Sequence, residues 1–155
     1  MVLKHPHILK LIEVIRRTVN ENKQFTLIYE FTEVGNALDY FLKKKKVYEN
    51  DVAIVAKNIL LSLSYLHDNK MVHGLVQPQN FFISDEETCY TKLGNFSHLE
   101  ILTEKETAHF QIDDASYWSP EMKLGAYSYS HDLFQLGVSL YHMLCGKHPF
   151  KVKPN

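Results

Sequence analysis

The chain has 155 residues, a length that suits a single domain able to bury roughly 70% of its unfolded surface. Its 17 basic and 18 acidic residues leave a formal charge of -1, which excludes a global field favouring nucleic acid or an anionic membrane. Cys89 and Cys145 lie far apart in segments that read as a strand and a buried helix, so both read as reduced core thiols and a reducing, cytoplasmic location is the default expectation.

The opening Met1-Val2-Leu3-Lys4-His5-Pro6 has no apolar signal region, and no later apolar run is long enough to span a bilayer. His5 and His7 sit two apart on a turn and read as solvent-exposed; with neither Cys-x-x-Cys nor His-Glu-x-x-His present, the histidines suggest no metal centre. Residues 10–17 and 24–31 are rich in β-branched and aromatic types around a polar Asn20–Lys23 separator, which predicts an antiparallel hairpin. Gly35-Asn36 then breaks the pattern before a short helix carrying Leu38 and Phe41, whose solvated end is the basic run Lys43–Lys46. From residue 49, Val52, Val55, Ile59, Leu60, Leu63 and Leu66 recur at helical spacing, with Asn50 or Asp51 as the cap and an end near His67. Residues 81–84 and 89–93 read as a second strand pair, and 97–116 as a long irregular segment of the kind that carries function or moves. Ser130 is the expected cap of a last helix that is apolar nearly all round, hence expected to be buried, and Gly146 should stop it.

The chemistry-bearing stretch is His73-Gly74-Leu75-Val76-Gln77-Pro78-Gln79-Asn80, followed fifteen positions later by Asn95-Phe96-Ser97 after Tyr90-Thr91-Lys92-Leu93. Around it stand Leu3-Lys4-His5-Pro6-His7-Ile8-Leu9, Leu27-Ile28-Tyr29-Glu30-Phe31, Tyr65-Leu66-His67, Ser119-Pro120-Glu121 and Asp132-Leu133-Phe134-Gln135-Leu136-Gly137-Val138. In this order and at these intervals they resemble the protein-kinase family over essentially the whole chain. The resemblance implies an α+β, protein-kinase-like fold that is incomplete: two small-lobe strands and the hinge in residues 1–34, then the large lobe in 35–155 as far as its central helix, lacking the last helices.

Phosphoryl transfer needs a group that takes the substrate hydroxyl proton, metal ions bridging the phosphates, and positive charge on them. The resemblance puts Leu75 at the position of the family's base, Gln77 at that of its phosphate-contacting Lys, and Gly74 at the Arg that pairs with a phosphorylated activation loop, so no catalytic residue is expected. Asn80 matches the metal-binding Asn, but Asn95 replaces the triad Asp, and two neutral amides make a weak magnesium site. Glu30 and Thr32 are the hinge positions that would offer backbone groups to an adenine ring, while Phe82 beneath it is expected to fill the pocket. ATP and Mg²⁺ therefore have at most a degraded site at Glu30, Thr32, Asn80 and Asn95. Ser97 in place of the triad Gly should stiffen the flip of that segment. Asp114 stands where a Thr usually packs against the base, and Glu121 lacks the distal Arg it would pair with.

The matching positions are mainly those with packing roles. His73, Phe96 and Leu11 occupy the places of a stacked column that Asp132 would fix, and His73 reads as a satisfied core histidine. Trp118, Tyr117 and Tyr127 read as packing onto the central helix. The expectation is a pseudokinase, or part of one, that works as a scaffold by binding a protein partner such as a kinase or signalling protein, with no nucleic-acid or membrane partner. The alternatives are a Ser/Thr kinase domain fragment with weak activity in a longer protein, and a piece whose central helix needs covering in order to fold.

Overall fold

The computed structural model describes residues 3–20, 22–102, 115–123 and 128–150. Strands β1 (Leu11–Val19) and β2 (Asn22–Tyr29) form the antiparallel hairpin. Its ladder closes at Val19↔Asn22, tighter than the polar separator suggested, because Asn20 takes a left-handed φ of 48° that a short polar side chain tolerates. The far end stops at Tyr29, although Glu30 still donates its backbone N–H to Lys10 at 2.9 Å.

Strand β3 (Gly35–Asn36) leads into α1 (Ala37–Lys43), which Asn36 caps by accepting from the Asp39 N–H at 2.9 Å. Helix α2 (Glu49–Asp68) follows, then β4 (Met71–Val72), β5 (Phe81–Asp85), β6 (Tyr90–Leu93), β7 (Glu100–Ile101), the single turn α3 (Pro120–Lys123) and α4 (Tyr129–Cys145). The strands make a three-stranded sheet ordered β3-β5-β6 and the antiparallel pair β4-β7, besides the hairpin. Backbone bonds from Leu9 to Leu93 and from Leu93 to His7, both 2.8 Å, tie the turn before β1 onto β6. One core collects Val55, Ile59, Leu63 and Leu66 of α2, Phe41 of α1, Phe81, Ile83 and Leu93 of the sheet, and Leu136 and Met143 of α4. The α2 members are apolar positions that the helical period placed inward; Leu60 alone of that set is exposed, at 46%.

Several expectations are corrected. The α2 cap is Tyr48, with no side-chain bond, because Asn50 and Asp51 fall inside the first turn, where Asp51 meets Lys44 at 3.3 Å. The α4 cap is Ser128, and Ser130, the second residue of the helix, shares a hydroxyl–hydroxyl hydrogen bond with Ser128 at 2.8 Å. Helix α4 is not buried all round: Leu136, Val138 and Met143 are inside, while Leu133, Tyr141 and Leu144 are 49%, 41% and 42% exposed. Its main neighbours among the described residues are α1, α2, the loop after β4 and the turn at Ala115–Tyr117. Cys145, on the other face, is exposed, whereas Cys89 is buried and reduced as expected. His5 and His7 are half-buried, not exposed, since the His5 ring stacks on Tyr65 at 5.2 Å and His7 Nδ1 bonds the Thr91 carbonyl at 3.1 Å. The irregular stretch contains β7, whose pairing Met71↔Ile101 and Val72↔Glu100 no short alternation announced. Gly146 ends α4 as expected, at φ 64° and with its N–H on the His142 carbonyl. Asp114 and Tyr127 lie outside the described residues.

Candidate catalytic cleft

The loop from His73 to Gln77 is held from below by α4. Asp132 Oδ2 and Oδ1 accept from the His73 and Gly74 N–H groups, each at 2.9 Å, and Oδ2 also meets His67 Nε2 at 2.8 Å. Gln135 Oε1 accepts from Val76 N–H at 2.8 Å while its Nε2 donates to the Gly74 carbonyl at 3.1 Å, and Ser139 Oγ donates to the Val76 carbonyl at 2.8 Å. Asp132, Gln135 and Ser139 are fully buried and spaced i, i+3, i+7, so one stripe of an otherwise apolar helix satisfies the turns of the loop. That spacing was a readable signal, yet only Asp132 was singled out from the sequence.

His73 is fully buried, with Nε2–H on the Gly94 carbonyl at 3.0 Å and Nδ1 accepting from the Leu75 N–H at 3.2 Å. Burial lowers its pKa despite the Asp132 carboxylate, so it is a neutral structural imidazole. The Phe96 ring meets it edge-on at 5.1 Å. Two of the three expected column members, His73 and Phe96, therefore come together with Asp132 fixing them; Leu11 is half-buried at the start of β1, on the wall of a separate cleft, and Leu9 shares a cavity with Phe96.

Leu75 packs with Val72, Met122, Leu102, Trp118 and Tyr129 in a small apolar cluster. The position where the resemblance places a proton acceptor is thus the hydrocarbon contact between the loop and the segment around Ser119. Trp118 packs against the same Val72 and Met122 pair, as does Tyr129 of α4; Tyr117 is buried against α4 itself, its hydroxyl 3.3 Å from His142 Nδ1. Ser119 Oγ caps the turn at Met122 N–H and bonds His131 Nδ1 at 3.0 Å.

Asn80 and Asn95 do meet, but as partners of each other. Asn95 Nδ2 donates to Asn80 Oδ1 at 3.1 Å, and Asn80 Nδ2 donates to the Leu75 carbonyl at 2.8 Å. Asn95 achieves this at φ 60°, a conformation asparagine tolerates better than most residues. Asn80 Oδ1 keeps a second lone pair and Asn95 Oδ1 takes no part in this bond, but both groups are neutral, a weaker donor set for Mg²⁺ than the carboxylates such sites use.

A cavity of about 350 Å³ opens beside them, lined chiefly by Leu9, Leu27, Tyr29, Phe82, Asn95 and Phe96. Phe82 lies so close over Gly94 that a Cβ there would sit 2.8 Å from its ring and 3.1 Å from Leu9. Glu30 and Thr32 are not part of the lining. The Glu30 side chain is turned to Lys92 Nζ at 2.6 Å and the Lys10 N–H at 2.7 Å. Burial works against its charge, but these two donors outweigh it and hold the carboxyl below its ordinary range. Tyr29 and Gly94 were missed from the sequence, where a tyrosine in a strand and a glycine before Asn95 carry no distinctive pattern.

The model of the protein kinase domain matches residues 1–155. The chain belongs to the protein kinase domain family. It is 29% identical over 150 residues to a carbon catabolite-derepressing protein kinase of Secale cereale and 30% identical over 157 residues to calcium-dependent protein kinase 3 of Plasmodium yoelii yoelii. Each match covers 96% of this chain but only 29% and 27% of those relatives, so the chain spans less than a third of their length. The α+β arrangement of small sheets and helices agrees with part of a protein kinase fold, and no described helix is long and apolar enough to cross a membrane.

Proposed function

We propose that this kinase-family chain does not transfer phosphate and acts by binding other proteins, as a pseudokinase does. The observation that carries the reading is Leu75: where a hydroxyl proton must be taken, an aliphatic side chain is packed against the buried apolar cluster of Val72 and Met122. Loss of a general base alone costs about 10²–10⁴ in rate. The Asn80–Asn95 amide pair removes anionic oxygens from the place where phosphate-bridging metal would be held. Phe82, pressed against Gly94, narrows the space in which an adenine ring would lie. What is kept is the scaffold: the Asp132, Gln135 and Ser139 bonds that shape the loop. An intracellular setting, with a kinase or another signalling protein as the partner, is part of this reading.

A second reading is a Ser/Thr kinase fragment with residual activity in a longer protein, favoured by the likeness to relatives named as protein kinases. Thermal unfolding with ATP, with and without Mg²⁺, separates the two. The proposed function predicts no Mg²⁺-dependent rise in Tm at any ATP concentration; a saturable rise that needs the metal would favour the enzyme.

A further inference from the structure

We propose that the cleft between the turn at residues 3–8 and the start of β1 docks an acidic peptide segment of a partner protein that inserts one large apolar side chain. This rests on the protein-binding half of the proposed function and is independent of the loss of chemistry. The cleft encloses about 440 Å³, the size of a small ligand pocket, with Leu3, Ile8 and Leu11 as its apolar lining. Its wall is fixed before any partner arrives: Ser62 Oγ donates to the His7 carbonyl at 2.6 Å, Tyr90 Oη to the Pro6 carbonyl at 3.1 Å, and Tyr65 stacks on His5. A pocket that need not be ordered on binding keeps more of its contact energy.

Charge selects the occupant. Lys4, Lys10 and Lys92 stand on the lining against one carboxylate, Glu30, and that carboxylate is already engaged by Lys92 Nζ and the Lys10 N–H. Lys4 and Lys10 are exposed, and among the described residues neither has a carboxylate within 4.0 Å. An apolar anchor flanked by Asp or Glu would fill the lining and meet these two ammonium groups, whereas a basic flank would be repelled. Two cations around one small cavity are too few for a polyanion.

The test uses the full ¹⁵N-labelled chain and an acetylated probe peptide, Gly-Asp-Phe-Asp-Gly, followed by amide chemical shifts. Saturable shifts confined to Leu3–Leu11 and Lys92 are expected, with Kd raised about tenfold or more by Lys4→Glu with Lys10→Glu, or by Ala in place of the probe's Phe. Lys46→Glu, outside the cleft, should leave Kd unchanged. Both lysines are exposed, so the spectrum of the double variant should report an intact fold. Equal binding of Gly-Lys-Phe-Lys-Gly, shifts elsewhere on the chain, or no saturation up to about 1 mM probe would overturn the proposal. Phosphoryl transfer found alongside specific peptide binding would defeat only the proposed function, and absence of both would defeat only this inference.

Discussion

At position 75 the side chain decides two things together, because the group that would do chemistry is also the group that packs. Leu75 is part of the apolar cluster with Val72, Met122 and Trp118, so Leu75→Asp is expected to lower stability by about 1–3 kcal/mol in urea unfolding, not merely to restore a base. An unchanged unfolding midpoint would show that the cluster holds nothing together. Gly94 makes a second residue-scale case, since a methyl group there would meet the Phe82 ring at 2.8 Å and Leu9 at 3.1 Å. Gly94→Ala should cost about 1–3 kcal/mol, and Phe82→Leu in the same chain should recover part of that loss in a double-mutant cycle. Additive single effects would mean that the ring moves aside freely. Neither contact was legible in the sequence: Leu75 showed what it cannot do, and apart from nearby Val72 the members of its cluster come from distant segments around Leu102, Met122 and Tyr129.

At the scale of the element, α4 is both pillar and clamp. Its Asp132, Gln135 and Ser139 hold the loop, and His131 beside them is buried, with its pKa lowered to about 4 by burial against the opposing pull of Asp132 and Glu121. An unfolded histidine titrates near 6.5, so between pH 6.5 and about 4 the unfolded chain binds a proton that the native helix refuses. Stability should therefore fall as pH falls through that window, by at most about 1.4 kcal/mol per pH unit from this group. The buried, neutral His73 adds a loss in the same direction. His131→Gln should flatten the slope in denaturant titrations at several pH values, and an unaltered slope would remove His131 from the account. The strands and helices themselves were largely readable, because α2 carries an apolar period that packing then honours and a polar turn separates β5 from β6. Helix starts were not, since Tyr48 and Ser128 cap without a side-chain bond, while Asn50 and Asp51, and an equivalent serine at Ser130, stand just inside. Strand β7 is two residues long and exists only through its pairing with β4.

For the whole molecule, the family frame could be read because its signals are spread along the chain and each has a packing reason that the structure supplies. His73, Phe96 and Asp132 meet as the resemblance implied; Leu11 does not line the Phe96 cavity, because contacts across that distance depend on which way a strand residue faces. The apolar faces left open, with Ile12, Val14, Phe25 and Leu27 on the hairpin and Leu133, Tyr141 and Leu144 on α4, were foreseen only in part, for α4. A nearly continuous apolar run suggested burial on every side, whereas burial also requires a neighbour on every side.

In the proposed function, Leu75, Asn80 and Asn95 leave the cleft without the base and the anionic metal ligands that phosphoryl transfer uses. Radiolabelled phosphate transfer from γ-labelled ATP with Mg²⁺ to a mixed Ser/Thr/Tyr peptide library, measured on the purified chain beside its Asn80→Ala, Asn95→Ala double variant, tests it most directly. The same background is expected for both proteins; incorporation by the parent that disappears in the double variant would overturn the proposed loss of phosphoryl transfer.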